Sequence, residues 1–556
     1  MSRPVLIHSG LALLIILALA LAAGTWHTFG HTWDEPEHLA AGLELLDRGR
    51  YEYDTEHPPL ARLCIALGPW LAGAHSFGTP PPSGVQEGID ILYDGGHYAR
   101  TLTLARLGAL PFLALLLLGM WLWARRVAAN DVEALLAVAL LASVPPVLGH
   151  GALAALDVPG TATTLLALYW LQRWMSSARL RDAVWFALTA GVAVATKFSA
   201  IPFVFLGAAG LGGLRMMWRP AGGVSIRPRA AVLGLIVLAA IVPIVFAYGP
   251  RSMSFTALPE RFTWVLSYVT QDATAREQLR ASLLHVRLPE ALWDLAEGIM
   301  ALKAHNDTGH MSYLFGQLKP GGWWYFYLVD LGAKTPLPLL LCGLPGLALL
   351  ARNGWRERNP WRTAPALLFL LLLGFASIFS RINIGVRHVL ILYPFLALGG
   401  AYALRRLWHV GSVPGRVAAA ALLLTQVSVW WTAYPDYFPY FNILVHRPAW
   451  VLTDSDLDWG GQDLRRLEAR LRQLQVPRVS LAYQGTADLA REDLPPFTLL
   501  PPWQPVSGWV AITALARAHE MQGYAWLNRY RPVERIGAAI DLYDIPPAAQ
   551  PAPAGN

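Results

Sequence analysis

The sequence predicts a mainly helical protein that crosses a membrane many times and carries a small α/β domain at its C-terminal end. Of its 556 residues, 55% are hydrophobic and 15% are charged, whereas about a quarter of the residues of a soluble domain are charged. Apolar segments recur through the first 431 residues, and several reach the roughly 20 residues needed to span a bilayer. No such segment follows Trp431.

Eleven apolar segments are expected to cross the membrane. They are 6–24, 102–123, 132–150, 158–174, 183–195, 200–214, 231–248, 323–350, 364–379, 388–404 and 416–431. A signal peptide is the alternative for the first segment, and we interpret it as an uncleaved span because so many spans follow.

The arginines predict the orientation of these spans. With Arg3 in the cytoplasm, every short cytoplasmic loop is rich in arginine, as the positive-inside rule requires. These loops contain Arg125, Arg126, Arg173, Arg179, Arg181, Arg215, Arg219, Arg227, Arg229, Arg352, Arg356, Arg358, Arg362, Arg405 and Arg406. The N-terminus is therefore expected inside and the C-terminus outside, with two long outer loops at 25–100 and 251–322.

The chain is expected to divide into a membrane domain, 1–433, and an outer α/β domain, 434–556. In the second we expect helices at 462–475 and 516–529, strands at 478–483, 509–514 and 540–543, and a disordered Pro-rich tail from Pro546. Residues 454–460 (DSDLDWG) lack the Gly and Glu of a calcium loop, because Trp459 and Arg465 stand there. We interpret this segment as a solvated turn and helix cap.

Composition excludes two other functions. The net charge is +7, but the basic residues lie between apolar segments, so membrane topology explains the charge and no nucleic acid partner is expected. The two cysteines, Cys64 and Cys342, lie far apart in apolar surroundings, which predicts neither a disulfide nor a thiol metal site.

Ionisable residues collect at the predicted outer ends of the spans. The first outer loop contains TWDEPEH at 32–38 and HPPL at 57–60. Asp34 with Glu37 also fits a capping box that opens a helix at Glu35, so a structural role stays open beside a catalytic one. Pro59 is suited to begin a second helix, expected at 60–71.

Such residues are costly at membrane depth and are therefore functional candidates, although Arg106 and Lys197 could also extend to the interface without a further role. Cations bind phosphate through charge-assisted hydrogen bonds, and a carboxylate can remove a proton from a hydroxyl. The set predicts an enzyme that displaces a lipid phosphate from a sugar carbon. Its members are Asp34, Glu35, His57, Arg62, Arg100, Arg106, Asp157, Lys197, Arg381, Arg387 and His388.

Over residues 1–440 the ordered motifs resemble those of the protein O-mannosyltransferase (PMT) superfamily, whose members are GT-C fold, family 39-like glycosyltransferases. The motifs are Asp34-Glu35, His57-Pro58-Pro59-Leu60, Arg106, Ala155-Leu156-Asp157-Val158-Pro159, Thr196-Lys197 and Gly385-Val386-Arg387-His388. Four further motifs, at 309–313, 334–336, 434–437 and 456–460, resemble a bacterial branch of phospholipid carrier-dependent glycosyltransferases.

The resemblance implies a role for each matched residue. Asp34 would be the catalytic base, and Glu35 would orient the acceptor or, with Asp34, hold a divalent cation such as Mg²⁺ or Mn²⁺. Asp157 would shape the sugar or acceptor pocket. The residues that would bind the donor phosphate are Arg106, Lys197, Arg387, His388, His57 and Arg62. Members of the superfamily usually invert the anomeric centre.

Two features depart from the eukaryotic members. Arg62 stands where many of them have lysine, and the C-terminal α/β domain differs from their β-trefoil insertion, so the acceptor could be a protein, a lipid or a glycan.

The expected function is transfer of a hexose or pentose from a polyprenyl-phosphate donor to an acceptor hydroxyl, on the periplasmic side of a bacterial inner membrane. Within the same fold, a glycolipid modifier similar to the aminoarabinose transferases is an alternative. A flippase or transporter of lipid-linked sugars is a second alternative. The enzyme is favoured because no internal repeat is evident and the polar residues collect at one face.

Overall fold

The computed structural model describes residues 3–80, 83–218, 230–249, 253–410 and 412–547. Helices dominate its first half. They are α1 (Arg3–Gly24), α2 (Glu35–Arg48), α3 (Leu60–Leu71), α4 (Gly84–Tyr93), α5 (Tyr98–Val127), α6 (Asp131–Ala142), α7 (Pro145–Gly151), α8 (Asp157–Ser177), α9 (Leu180–Thr196), α10 (Ala200–Met217) and α11 (Ala230–Ala247).

The second outer loop and the remaining membrane helices follow. They comprise β1 (Phe255–Thr256), α12 (Thr263–Val269), α13 (Ala273–Leu283), β2 (Leu288–Pro289), α14 (Glu290–Thr308), β3 (Met311–Leu314), β4 (Gln317–Pro320), α15 (Phe326–Lys334), α16 (Leu337–Arg356), α17 (Pro360–Phe379), α18 (Leu392–His409) and α19 (Val413–Thr432). Strands β3 and β4 form an antiparallel hairpin.

Seven helices of the described chain are long and apolar enough to cross a bilayer, namely α1, α5, α10, α11, α16, α17 and α19. The pair α6 and α7 adds an eighth if this helix pair, bent by 66°, is a single span. Each of the eleven predicted segments contains helix, so the mainly helical, multi-pass membrane fold is confirmed. The count of eleven spans stays a prediction.

Two predicted segments are broken rather than continuous. Segment 132–150 bends where Val144 precedes Pro145, and segment 323–350 divides into α15 and α16 where Thr335 precedes Pro336. Proline disfavours helical dihedrals in the residue before it, and Val144 and Thr335 are both extended. Each of these two predicted segments therefore forms two helices with a break between them.

Four helices have a candidate site residue near one end and arginines toward the other. Arg106 lies near the start of α5, which ends with Arg125 and Arg126, and Asp157 begins α8, which has Arg173 near its end. Lys197 follows the end of α9, which has Arg179 and Arg181 at its start. Arg387 precedes α18, which has Arg405 and Arg406 near its end. This arrangement fits the predicted orientation. Arg219, Arg227 and Arg229 lie outside the described residues, as does the tail from 548.

The first outer loop forms three helices. The structure bears out α2 and α3 at the predicted positions, and they approach closely because Gly42 has no side chain: a Cβ there would lie 2.3 Å from the Arg62 carbonyl oxygen. Helix α4 was not predicted, since Gly84 and Gly88 weaken a helical pattern. Gly88 is needed where α4 meets α2, because a Cβ would lie 1.9 Å from the Pro36 oxygen.

A five-stranded mixed sheet forms most of the C-terminal part. Its elements are α20 (Pro448–Val451), α21 (Asp454–Leu457), α22 (Leu464–Gln473), β5 (Val479–Ala482), β6 (Phe497–Leu499), β7 (Gly508–Thr513), α23 (Ala514–His519), β8 (Glu534–Ile536) and β9 (Ile540–Ile545). The strand order is β6-β5-β7-β9-β8, with β5 parallel to β6 and β7, and β9 antiparallel to β7 and β8.

The small α/β region is therefore present, with two corrections. The predicted helix 516–529 is wrong beyond α23, because the chain turns at 520–524, around Gly523, before a 3-10 segment at Ala525–Arg529. Strands β6 and β8 were missed because each has only three residues and follows a proline-containing stretch.

Candidate active site

Asp34 makes an ion pair across the fold instead of capping α2. Its side chain forms no cap hydrogen bond, so the capping-box interpretation is wrong. Arg387 donates from Nη1 to Asp34 Oδ2 at 2.6 Å, and the Arg387 guanidinium carbon lies 4.2 Å from the centre of the Trp459 ring. The contact joins the first outer loop, the approach to α18 and the segment before α22.

A second ion pair lies within charge-interaction range of the first. Lys197 donates from Nζ to Asp157 Oδ1 at 2.5 Å, and Arg387 interacts electrostatically with both Asp34 and Asp157. Asp157 begins α8, and Lys197 directly follows α9. Gly160, one turn into α8, makes room for the lysine, since a Cβ at this position would lie 2.8 Å from Lys197 Cβ.

Glu35 and Arg106 form a buried ion pair with two hydrogen bonds. Arg106 Nε and Nη2 donate to the two carboxylate oxygens of Glu35, each at 2.8 Å, and both side chains are 1% exposed. The backbone N–H groups of Thr32 and Ala154 also donate to this carboxylate at 2.8 Å. The pair thus fixes the first outer loop to α5 and to the α7–α8 connection.

Arg62 belongs to a buried network with Asp54. The guanidinium is fully buried and donates to Asp54 Oδ2, to the Tyr51 hydroxyl at 2.7 Å and to His38 Nδ1 at 3.2 Å. Nδ1 of His57 contacts the same Asp54 oxygen at 2.9 Å. His57 is therefore held by a carboxylate that Arg62 also binds, and Arg62 does not face open space.

Segment 454–462 is buried and packs into the site, so its interpretation as a solvated turn is wrong. Asp456, Asp458 and Trp459 are between 1% and 3% exposed. Backbone N–H groups, rather than water, donate hydrogen bonds to the two carboxylates. Asp456 accepts from the Val386 N–H at 3.1 Å, and Asp458 accepts from the Leu515 N–H at 2.9 Å. The segment therefore links the approach to α18 with the start of α23.

Lys334 and the first outer loop hold the same segment from two sides. Nζ of Lys334 donates to the carbonyl oxygens of Asp456 and Phe438, at 2.5 and 3.0 Å. The Trp33 N–H donates to the Trp459 carbonyl oxygen at 2.9 Å. Residues 454–462 thus form one wall of the site with Asp34 and Arg387.

Two histidines at the site have unsatisfied nitrogens. His150, on α7, lies between the rings of Phe438 and Trp459, with ring centres 5.4 and 5.7 Å away. Neither of its nitrogens has a hydrogen-bond partner among the described residues, and Nε2 of His388 is likewise buried and unpaired there. His150 was not among the predicted residues. Its only signal in the sequence is a lone imidazole inside an apolar segment.

Glu37 is a second residue that the sequence interpretation missed as a site group. Asp34, Asp54, His57 and Arg62 all interact with it electrostatically. Burial, reinforced by the Asp54 carboxylate, raises the pKa of Glu37 to about 7. A protonatable carboxyl group therefore lies beside the candidate base.

The two carboxylates implied as metal ligands do not fit a divalent cation. Both Glu35 oxygens accept hydrogen bonds from Arg106 and from backbone N–H groups, and Arg387 occupies one oxygen of Asp34. Within the described ranges no group of three or more His, Cys, Asp or Glu residues is arranged to hold a metal.

The geometry defines a multi-pass membrane protein with carboxylates and cations gathered where its helices end. Residues 100–248 match the family model described as dolichyl-phosphate-mannose-protein mannosyltransferase. The matched region runs from α5 to α11 and includes Arg106, Asp157 and Lys197. The predicted resemblance to the PMT superfamily is confirmed over this region.

Three solved structures are similar in fold at low identity. ArnT from Cupriavidus metallidurans in the apo state is 13% identical, with 96% of this chain and 97% of that chain covered and a TM-score of 0.47. The S. cerevisiae protein O-mannosyltransferase Pmt1-Pmt2 complex bound to the sugar donor is 11% identical, with 78% of this chain and 90% of that chain covered and a TM-score of 0.48. The apo form of the Archaeoglobus fulgidus oligosaccharyltransferase is 13% identical, with 84% of this chain and 58% of that chain covered and a TM-score of 0.44. No curated protein matches the chain.

Proposed function

We propose that this protein is an integral-membrane glycosyltransferase that moves a sugar from a polyprenyl-phosphate donor to an acceptor hydroxyl at the periplasmic face of a bacterial inner membrane. The observation that carries the proposal is the Asp34–Arg387 ion pair beside the Asp157–Lys197 pair. A base and two cations from distant parts of the chain meet where the spans end. The family description, which names a dolichyl-phosphate mannose, supports a lipid-phosphate donor.

Asp34 is the proposed catalytic base. Its Oδ2 is held by Arg387, while Oδ1 has no hydrogen-bond partner in the described part of the chain and is available to an acceptor hydroxyl. As Asp34 takes the hydroxyl proton, the acceptor oxygen bonds to the anomeric carbon. The bond from that carbon to the phosphate oxygen breaks, and polyprenyl phosphate leaves with the electron pair. Attack from the face opposite the leaving group inverts the anomeric centre.

Arg387 and Lys197 are the proposed phosphate ligands. Charge-assisted hydrogen bonds from these cations stabilise the negative charge that grows on the leaving phosphate. Arg387 is suited to this because its Nε is buried without a described partner, and an ammonium has three donors, of which Lys197 gives one to Asp157. Asp157 thus orients Lys197, while His388 and His57 lie beside the phosphate.

Glu35, Arg106 and Arg62 have positioning roles in this proposal. The resemblance implies direct contact with acceptor or donor, yet Glu35 and Arg106 are buried against each other, and Arg62 is held by Asp54, Tyr51 and His38. Separating such pairs to bind substrate would leave buried charges unpaired, which is strongly unfavourable. We assign them to holding the first outer loop in place.

The test is transfer from radiolabelled polyprenyl-phosphate mannose, glucose and aminoarabinose in proteoliposomes, with membrane extract as acceptor. We expect wild type to transfer label from one donor and Asp34→Asn to lose about 10²- to 10⁴-fold of that rate, the usual contribution of a general base. Asp94→Asn, an exposed aspartate of the same loop, is the matched control and should retain activity.

The same experiment separates the alternatives. Label found in the protein, lipid or glycan fraction identifies the acceptor class, and a lipid product would indicate the glycolipid modifier. Label that crosses the bilayer equally well with wild type and Asp34→Asn, without reaching any acceptor, would contradict the transferase and favour the flippase.

A further inference from the structure

A cavity of about 660 Å³ lies apart from the Asp34 site, between segment 446–450 and the C-terminal sheet. Neither Asp34 nor Arg387 lines it. One side is lined by segment 446–450 and Tyr313 of the β3–β4 hairpin, and the other side by α23 with parts of β7, β8 and β9. A ligand that fills this cavity would contact both sides.

The charge of the lining is predominantly positive. Three arginines, Arg447, Arg517 and Arg535, line the cavity with a single carboxylate, Asp541. Arg517 and Arg535 both bind Asp541, through Nη1 at 3.2 Å and Nε at 2.8 Å. One carboxylate cannot neutralise three guanidinium groups, so an excess of two positive charges faces the cavity.

Two of these arginines have donors to offer. The Arg447 side chain makes no hydrogen bond or ion pair within the described ranges, and Arg535 uses only Nε. Arg517 is already committed, since it also donates to the Tyr543 hydroxyl at 2.8 Å and to Asn528 at 2.6 Å. Free guanidinium N–H groups in planar geometry suit the oxygens of a phosphate.

Part of the remaining lining is apolar and exposed. Trp450 and Met521 line the cavity and are 52% and 36% exposed. Ile443 and Leu444, just before the 446–450 wall, are 78% and 63% exposed. An apolar surface beside arginines is the arrangement that an amphiphile with an anionic head would complete.

We propose that this cavity is a binding site for a phosphate-bearing ligand whose apolar portion lies on Trp450 and Met521. The phosphate contacts Arg447 and Arg535, and the ligand bridges segment 446–450 and the C-terminal sheet. The site is separate from the proposed donor site, so the proposal stands or fails independently of the glycosyltransferase assignment.

The walls are anchored well enough to form a site before a ligand binds. Tyr313 donates from its hydroxyl to the Ala449 carbonyl oxygen at 2.9 Å, and the rings of Phe315 and Trp450 lie 5.1 Å apart. On the other side, Asp458 binds the N–H of Leu515, the neighbour of the lining residue Ala514. Preorganised walls reduce the entropic cost of binding.

The test is lipid titration of the delipidated full-length protein, with bound lipid counted by native mass spectrometry. The probes are dioleoylphosphatidylglycerol, dioleoylphosphatidylcholine as the zwitterionic comparison, and inorganic phosphate as a competitor. Arg447→Gln/Arg535→Gln should weaken phosphatidylglycerol binding about tenfold or more. Arg478→Gln/Arg531→Gln removes two exposed arginines of the same domain outside the cavity and should bind like wild type.

The outcomes are distinct. Displacement of the lipid by inorganic phosphate would show that the phosphate group suffices, and failure of displacement would assign the site to the intact lipid. The Arg447 side chain makes no hydrogen bond or ion pair among the described residues, so Arg447→Gln breaks no contact within the protein. Weaker binding of phosphatidylglycerol by this variant therefore cannot be attributed to misfolding. Equal phosphatidylglycerol binding by wild type and all arginine variants would overturn the proposal. Asp34→Asn should bind lipid like wild type, whatever its transfer activity.

Discussion

Asp34 and Arg387, 353 positions apart in the chain, form an ion pair of 2.6 Å with the arginine stacked on Trp459. The carboxylate is 22% exposed and the arginine 11%, so the pair stands at the edge of the interior, where a substrate can reach it. Arg387 donates to Asp34 through Nη1 and also interacts electrostatically with Asp157 of the neighbouring Asp157–Lys197 pair.

Arg387→Lys should therefore be damaging although it preserves the charge. Lysine cannot reproduce the planar stack on Trp459 or donate from two nitrogens in a fixed geometry. We expect transfer to fall about tenfold or more, and Arg387→Gln to fall further because the charge is also lost. Steady-state transfer at varied donor concentration measures the effect. Arg416→Lys, an exposed arginine at the other end of the spans, is the control, and equal activity of Arg387→Lys and wild type would contradict the phosphate role.

Breaking the Glu35–Arg106 pair should lower the stability of the fold, and any loss of activity should follow from that. Replacing one partner by glutamine leaves the other charge buried and unpaired, which costs about 3–5 kcal/mol. Glu35→Gln and Arg106→Gln should each lower the thermal unfolding temperature in detergent, and the double variant should recover part of the loss. If Glu35→Gln instead unfolds like wild type and yet fails to transfer sugar, Glu35 contacts substrate and the positioning role is wrong.

The sequence predicted local features well. Helix α3 was expected at 60–71 and is found at Leu60–Leu71, because Pro59 marks its start and the apolar periodicity covers its whole length. The candidate residues at the outer ends of spans could be selected because ionisable groups are costly near lipid.

The pairing of those residues could not be predicted from the sequence. Glu35 and Arg106 were assigned to separate functions because they are 71 positions apart, and nothing local shows that they meet. Segment 454–460 was interpreted as solvated because its aspartates suggest exposure, whereas distant N–H groups of Val386 and Leu515 satisfy them. Both errors come from tertiary contacts that a linear pattern does not contain.

Gly160 should be required for the placement of Lys197. A Cβ at this position would lie 2.8 Å from Lys197 Cβ, so Gly160→Ala should move the ammonium away from Asp157 and from the proposed phosphate site. We expect the KM for the donor to rise about tenfold, with a smaller change in kcat because Asp34 is untouched. Gly213→Ala, where an added Cβ meets nothing within 4 Å, should behave like wild type. An unchanged donor KM in Gly160→Ala would remove the support for Lys197 as a phosphate ligand.

Glu37 should make stability depend on pH. Burial and Asp54 raise its pKa to about 7 from the ordinary 4.5, so between these values the folded protein binds more protons than the unfolded chain. Stability from this group is fully present below pH 4.5 and is lost as pH rises through 7. Unfolding temperatures measured from pH 5 to 7.5 should therefore fall less in Glu37→Gln than in wild type, because glutamine does not ionise. Glu52→Gln, exposed in the same loop, should parallel wild type, and an identical slope for Glu37→Gln and wild type would contradict the raised pKa.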